Sequence, residues 1–129
     1  MLNQKQTMIA GASFGMLGVA IGAFGAHALK PTLLANNTLE TYELAVRYQF
    51  YHAFALLVVG LLMEKIDGKL LGYASTCMVT GVLLFSGSLL ALAFQVGRWV
   101  VFATPIGGVF FIAAWTLMIM AIVQQNKKA

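Results

Sequence analysis

The chain has 129 residues, of which 60% are hydrophobic and only 9% are charged. Soluble domains average about 25% charged residues, so this composition excludes a soluble globular protein. The formal net charge of +4 comes from short loops and tails, where it indicates membrane orientation and not a nucleic-acid-binding surface. The one cysteine, Cys77, excludes an intrachain disulfide.

Four apolar blocks, at 7–28, 48–63, 70–94 and 100–123, predict helices that cross a bilayer, which takes roughly 20 residues of helix. The second block is too short to span alone, so the predicted helices occupy 7–28, 39–63, 70–94 and 100–123. We therefore predict an all-α membrane protein that forms one domain over 1–129, with four transmembrane helices in a compact antiparallel bundle. Lys5, an apolar run and the string Ala26-His27-Ala28 resemble a cleavable signal peptide, but the length of the run and the three later spans favour a retained helix.

The basic residues predict the orientation of the bundle. Four spans place both termini and the second loop on one side of the membrane. That side carries five lysines and the opposite side three basic residues, so the positive-inside rule predicts cytoplasmic N and C termini. The five are Lys5, Lys65, Lys69, Lys127 and Lys128, and the three are Lys30, Arg47 and Arg98.

Glycines recur in the first helix at intervals of four and three residues. In a soluble helix each would cost about 1 kcal/mol relative to alanine, but in lipid small residues let backbones approach closely. The 4-3-4-3 spacing keeps all members on one face. We therefore predict a packing seam, against another helix of this chain or a second copy, formed by Gly11, Gly15, Gly18, Gly22 and Gly25.

The second helix is predicted to start near Leu39, with Thr38 as its N-cap. At 100° per residue its acidic and basic residues share one face that suits headgroups and water, where Glu43 and Arg47 form a favourable i,i+4 pair. The opposite face carries uncharged polar side chains that point into the bundle. They are Tyr48, Gln49 and His52.

The fourth helix has a start signal in Thr104 and Pro105, because threonine is a good N-cap and proline suits the first helical position. The alternative is a helix that begins near Trp99 and kinks at Pro105. We favour the start at Pro105, with 100–103 as buried irregular chain.

Polar residues gather in the half of the bundle opposite the termini. Intramembrane polar groups are costly and usually face inward, which makes this set the candidate site. For the two histidines a structural role is favoured over proton or ligand handling, and both over metal or haem, because two histidines alone make a poor metal site. The set comprises His27, Tyr48, Gln49, His52, Ser86, Ser88 and Thr104, with Gln95 at its edge.

Catalytic signatures are absent from the sequence, which has no intramembrane carboxylate pair, metalloprotease motif or glycine-rich phosphate loop. We accordingly expect no enzyme activity, no catalytic residue, no metal and no cofactor.

Several motifs resemble one known family in the same order along the chain. They are GAFGAH (22–27), YQFYH (48–52), LFSGSL (84–89) and TPIGG (104–108), followed by Trp115. The chain is identified on these motifs as a member of domain-of-unknown-function family 423, the UPF0382 group, which is similar to eukaryotic transmembrane protein 256. The resemblance implies a small four-helix protein of bacterial inner membranes without an established activity. Leu90 stands where many members have tyrosine, which implies that the polar cluster here has one hydroxyl group fewer.

Two functional hypotheses follow. The favoured one is a structural or accessory membrane component that contacts the lipid bilayer and associates with itself or with another membrane protein. The alternative is a small oligomeric transporter or channel that uses the polar cluster, because an imidazole can take up and release protons near neutral pH, as proton-coupled transport requires. A haem or quinone site is the third possibility.

Overall fold

The structure, a computed structural model, describes residues 1–126, and its regular elements over that range are all helical. The helices are α1 (Gln4–Ala26), α2 (Lys30–Ala35), α3 (Leu39–Leu62), α4 (Leu70–Ala93) and α5 (Ala103–Asn126), with a 3₁₀ segment at Arg98–Phe102 before α5. Four helical stretches are long and apolar enough to cross a membrane. The predicted all-α architecture with four spans is therefore confirmed.

The long helices pack in the order α1, α3, α4, α5, so α3 and α4 lie at the centre and α1 and α5 outside. Consecutive helices in this order run antiparallel. The largest core cluster consists of almost completely buried side chains from α3, α4 and α5 and from the loop between α3 and α4, and α1 packs against it with partly buried residues. Its members include Leu56 and Val59 of α3, Leu71 and Met78 of α4, and Ala114 of α5.

Both ends of the described chain lie at one end of the bundle, called here the terminal end. The Gln4 side chain donates a 2.9 Å hydrogen bond to Glu64, and Gln125 donates one of 3.1 Å to the carbonyl of Lys65. The opposite end, which carries α2, is called the α2 end. Cytoplasmic termini remain a prediction, and two of the lysines behind it, Lys127 and Lys128, lie outside the described residues.

The start of α1 and the capping of α3 differ from the sequence prediction, whereas α3 begins at Leu39 as expected. α1 begins three residues early because Asn3 and Gln6 form a capping box, with reciprocal side chain to backbone hydrogen bonds of 2.9 and 3.0 Å. Thr38 stands at the N-cap position of α3, but its predicted capping role is wrong. Its hydroxyl instead donates a 2.9 Å hydrogen bond to the carbonyl of Ala93, which ties the start of α3 to the end of α4.

The start of the last span differs from the favoured alternative at Pro105 and lies close to the other, near Trp99, because the helical stretch is continuous from Arg98. The 3₁₀ segment runs directly into α5 at Ala103, so Thr104 lies inside the helix and is not its N-cap. Pro105 occupies the first turn, where backbone N–H groups have no intrahelical partner and its missing N–H costs nothing. The expectation of irregular chain at 100–103 is wrong because the backbone is helical, and of its predicted burial only Val100 is buried, while Phe102 is 73% exposed.

The short helix α2 was not predicted from the sequence. Pro31 lies in its first turn. Asn37, two residues after its end, has a φ of +56°, in the left-handed region that asparagine tolerates. Leu33 of α2 is fully buried in a small cluster with Tyr42 and Ala93. The helix therefore closes the α2 end of the bundle over the junction of α3 and α4.

Candidate functional site

His52 lies near the middle of α3 and is buried, with 4% of its surface exposed. Its Nδ1 lies 2.8 Å from the carbonyl oxygen of Tyr48, one helical turn earlier. Its Nε2 lies 3.2 Å from the indole Nε1 of Trp115, near the middle of α5. A carbonyl only accepts and an indole N–H only donates, so these partners assign the proton to Nδ1 and the lone pair to Nε2. The imidazole is therefore neutral, with both ring nitrogens engaged.

Aromatic rings surround the imidazole and extend the contact between α3 and α5. The Phe111 ring lies almost parallel to the His52 ring, with centroids 3.5 Å apart and an interplanar angle of 8°. Tyr48 packs on Phe85 of α4 with a centroid distance of 4.6 Å and lies 6.2 Å from Phe111. Side chains thus connect α3 with α5, although the backbones of these two helices hardly touch.

Gln49 and Ser86 bind backbone carbonyls on neighbouring helices. The amide of Gln49 donates a 2.9 Å hydrogen bond to the carbonyl of Phe14, across the α1–α3 contact. The hydroxyl of Ser86 donates one of 2.7 Å to the carbonyl of Ala45, across the α3–α4 contact. Both side chains are at least 96% buried, so each serves as an interhelical tie in the interior.

Ser88 and Thr104 form a third interhelical tie, between α4 and α5. Their hydroxyl oxygens lie 2.6 Å apart, and Ser88 Oγ also lies 3.0 Å from the carbonyl of Phe85. A hydroxyl has one proton, and the carbonyl can only accept, so Ser88 donates to Phe85 while Thr104 donates to Ser88.

The structure brings only some members of the predicted polar cluster together. His52 and Tyr48 share the aromatic group with Trp115, whereas the ties made by Gln49, Ser86 and Ser88–Thr104 each lie at a different helix contact. His27 and Gln95 are exposed at the α2 end. His27 ends α1, and His52 is about 20 Å along α3 from that end at 1.5 Å per residue, so one chain does not oppose the two imidazoles as a bis-histidine haem site requires.

The predicted glycine seam packs α1 against α3 of the same chain. Gly11, Gly18 and Gly25 are buried, and a Cβ added at any of them would crowd Ala53, Phe50 or Tyr42. Gly22 would make only ordinary contact, 3.5 Å from Val46, and Gly15 has nothing within 4 Å. Positions seven residues apart drift by about 20°, whereas positions four apart differ by about 40°. The close contact therefore recurs every seven residues, and Gly15 and Gly22 lie on its flank.

A second glycine contact, between α4 and α5, brings a glycine closer to the backbone of its neighbouring helix than the α1–α3 seam does. A Cβ added at Gly107 would lie 2.5 Å from the backbone nitrogen of Phe85. A Cβ at Gly81 would lie 2.5 Å from the Phe111 ring and 3.2 Å from the carbonyl of Gly107. Glycines on both helices thus permit the approach that brings Phe111 beneath His52.

Sequence reasoning missed Trp115 and Phe111 as partners of His52, and Gly107 as a packing residue. Trp115 carried a signal, because tryptophan favours membrane interfaces and one in mid-span needs a partner for its N–H. Gly107 belongs to the TPIGG motif, whose threonine and proline predict a helix start but do not indicate a packing contact.

Three grooves of the described region lie toward the ends of the bundle. One of about 360 Å³ lies between the α3–α4 loop and the end of α5, and one of about 470 Å³ lies between α2 and α3. A third of about 230 Å³ lies between α1 and α3 at the α2 end. Among residues 1–126, no three histidine, cysteine or acidic side chains come close enough to share a metal ion.

Comparison with known proteins agrees with the resemblance seen in the motifs. The family model "Protein of unknown function (DUF423)" matches residues 21–108. The UPF0382 inner membrane protein YgdD of Escherichia coli is 36% identical over 127 residues, which is 98% of this chain and 96% of that protein. This chain belongs to the UPF0382 family. Its matched segment contains all four quoted motifs and ends before Trp115.

Other UPF0382 proteins are similar over most of the chain. YwdK, a UPF0382 membrane protein of Bacillus subtilis, is 37% identical over 93% of this chain and 98% of that protein. A UPF0382 membrane protein of Staphylococcus haemolyticus is 38% identical over 91% of this chain and 94% of that protein. No solved structure matches. With four membrane-length helices, this UPF0382 chain is a multi-pass protein of the bacterial inner membrane.

Proposed function

We propose that this UPF0382 protein is a structural or accessory component of the membrane, whose polar interior holds helices together and does not conduct a solute. One observation carries the proposal: every buried side-chain nitrogen and oxygen in the described region has a hydrogen-bond partner within the protein. A conduction path needs polar groups that exchange partners with water or solute, and the interior groups here already bind carbonyls, hydroxyls or the indole of Trp115.

The placement of the interior ties supports a packing role. Gln49 joins α3 to α1, Ser86 joins α4 to α3, and the Ser88–Thr104 pair joins α5 to α4. Each close helix contact thus has its own polar tie. In lipid, where hydrophobicity does not drive helices together, such bonds and close packing supply the association energy.

The glycine series gives no support for self-association, because α3 of the same chain already covers Gly11, Gly18 and Gly25. An accessory role would instead use the outward faces of α1 and α5, which carry large exposed apolar side chains such as Met16, Val109 and Ile112. These faces contact lipid or another membrane protein in this proposal.

The experiment that separates the proposal from the transport alternative is a flux assay in proteoliposomes. Vesicles with the wild type, with His52→Ala, and without protein are compared for proton and small polar solute flux. The proposal predicts the same flux in all three. Flux above the protein-free level that His52→Ala lowers would overturn it.

A second measurement tests the accessory role itself. The protein is extracted from its native membrane in polymer-bounded lipid discs, and the mass and polypeptide composition of the discs are determined. The proposal predicts additional polypeptide at a fixed ratio. Discs that hold one copy of this chain and lipid only would contradict the accessory role.

A further inference from the structure

The third groove lies on the lipid-facing side of the contact between α1 and α3, at the α2 end. Gly22, Gly25 and Ala26 of α1 form one wall, which presents backbone and a single methyl group. Tyr42 and Val46 of α3 form the other wall. The groove measures about 230 Å³, and both walls belong to membrane-spanning helices, so its contents come from the bilayer.

Two opposite charges, Glu43 and Arg47, stand at the rim of this groove, and both side chains are exposed. At 1.5 Å per residue they lie about 6 and 12 Å along α3 from its first residue, Leu39. The 24 residues of α3 span about 36 Å, a few ångströms more than the hydrocarbon core of a bilayer. Glu64 and Lys65 follow Met63 directly and mark the other edge of the hydrocarbon core, and about 20 residues counted back from Met63 end at Leu44. Glu43 therefore stands at the edge of the core, and Arg47, about one helical turn inside it, extends its long side chain to the polar interface.

The order of the charges along α3 matches one class of lipid. In a phosphatidylethanolamine the phosphate is attached to the glycerol, and the ammonium group extends beyond it toward water. Arg47 lies on the deeper side and offers several N–H donors to a phosphate, while Glu43 lies nearer the surface and accepts from an ammonium. Phosphatidylcholine has no N–H to donate, and phosphatidylglycerol has no cation for Glu43.

We propose that the α1–α3 groove binds a phospholipid with a primary-amine headgroup, with its phosphate on Arg47, its ammonium on Glu43 and its glycerol region against Gly22 and Ala26. The small side chains of α1 leave the space that the lipid fills. This proposal is independent of the proposed function, because a structural component and a transporter could both hold such a lipid.

The test titrates dioleoyl lipids with ethanolamine, glycerol or choline headgroups into the detergent-purified full-length protein and measures bound lipid by native mass spectrometry. The wild type is expected to bind the ethanolamine lipid about tenfold more tightly than the other two, the size of one charge-assisted hydrogen bond. Glu43→Gln is expected to abolish this preference, and Arg47→Gln to weaken binding of all three lipids.

Two control variants remove one negative or one positive charge outside the groove. Glu40→Gln and Lys30→Gln alter exposed charges at the same end that do not line the groove, so they should retain wild-type binding. Ala26→Leu fills the groove without altering a charge and should weaken binding of the ethanolamine lipid. Circular dichroism verifies that each variant remains helical.

Three outcomes would overturn the proposal. The first is equal binding of all three lipids by the wild type. The second is an ethanolamine preference that survives Glu43→Gln. The third is a lipid-free dimer that Ala26→Leu abolishes, because it would place a second copy of the chain in the groove.

Discussion

His52 of α3 and Trp115 of α5 are joined by a 3.2 Å hydrogen bond, although 63 residues separate them in the chain. The backbones of these two helices hardly touch. The indole N–H and the parallel ring of Phe111 therefore connect α3 with α5 near mid-membrane, beside the apolar core that both helices share. His52 thus donates through Nδ1 to the carbonyl of Tyr48 and accepts through Nε2 from Trp115.

The first prediction concerns the indole donor. Trp115→Phe removes it and leaves His52 Nε2 without a partner in the interior. We therefore expect the free energy of unfolding to fall by about 0.6 kcal/mol, the average for interhelical hydrogen bonds in membranes, and by at most about 1.7 kcal/mol. Reversible unfolding in detergent measures the loss. Trp99→Phe is the control, since Trp99 is 73% exposed. Equal stability of the two variants would contradict the assigned role.

The α4–α5 contact yields a paired glycine experiment. Gly107→Ala places a methyl group 2.5 Å from the backbone nitrogen of Phe85. Because no rotamer change can relieve a contact with backbone, the free energy of unfolding should fall by about 1–3 kcal/mol, as it does on overpacking. At Gly108 the nearest atom would be 4.0 Å away. Gly108→Ala should therefore be neutral, or stabilising by up to about 1 kcal/mol through helix propensity. Thermal unfolding that ranks the variants in the opposite order would refute this account.

A second glycine pair tests the seven-residue repeat in α1. Gly11→Ala brings a methyl group 2.9 Å from the carbonyl oxygen of Ala53, whereas Gly15→Ala meets nothing within 4 Å. We expect Gly11→Ala to lower the unfolding midpoint and Gly15→Ala to leave it unchanged or raise it. If both substitutions lowered it equally, all five glycines would share the seam and the flank position of Gly15 would be wrong.

The hydroxyl pair between α4 and α5 is suited to a double-mutant cycle. Ser88→Ala and Thr104→Val each remove one partner of the 2.6 Å contact. The pair should show a coupling free energy of about 0.6 kcal/mol, and at most about 1.7. Thr116→Val is the control partner, because Thr116 is exposed and bonds its own helix at Ile112. Additive effects of Ser88→Ala and Thr104→Val would show that the two hydroxyls do not interact.

Much of the fold could be predicted from the length and position of the apolar stretches, because only a helix of about 20 residues satisfies its backbone across a bilayer. The helix ends depended on local chemistry that the sequence displays less clearly. Asn3 extended α1, and Thr38 and Thr104 turned their hydroxyls to other helices instead of capping their own. Threonine at a helix start has both choices, and tertiary contact decided between them.

The candidate site was less predictable than the fold. Periodicity places Gln49 and His52 on the inner face of α3, and both are buried. Their partners depend on the order of the helices in space, which no local pattern encodes. The sequence therefore grouped polar residues that the structure distributes over three helix contacts, and it gave no reason to pair His52 with Trp115 rather than with a serine.

The interior polar groups have their partners within the protein, and the protonation of His52 is the sharpest measure of this. Nitrogen-15 solid-state NMR of the protein in bilayers at neutral pH reports which ring nitrogen carries the proton. The structure predicts a neutral ring with the proton on Nδ1 and a hydrogen-bonded lone pair on Nε2, and a change at Nε2 in Trp115→Phe. A doubly protonated ring, or a proton on Nε2 that is indifferent to Trp115→Phe, would contradict the account.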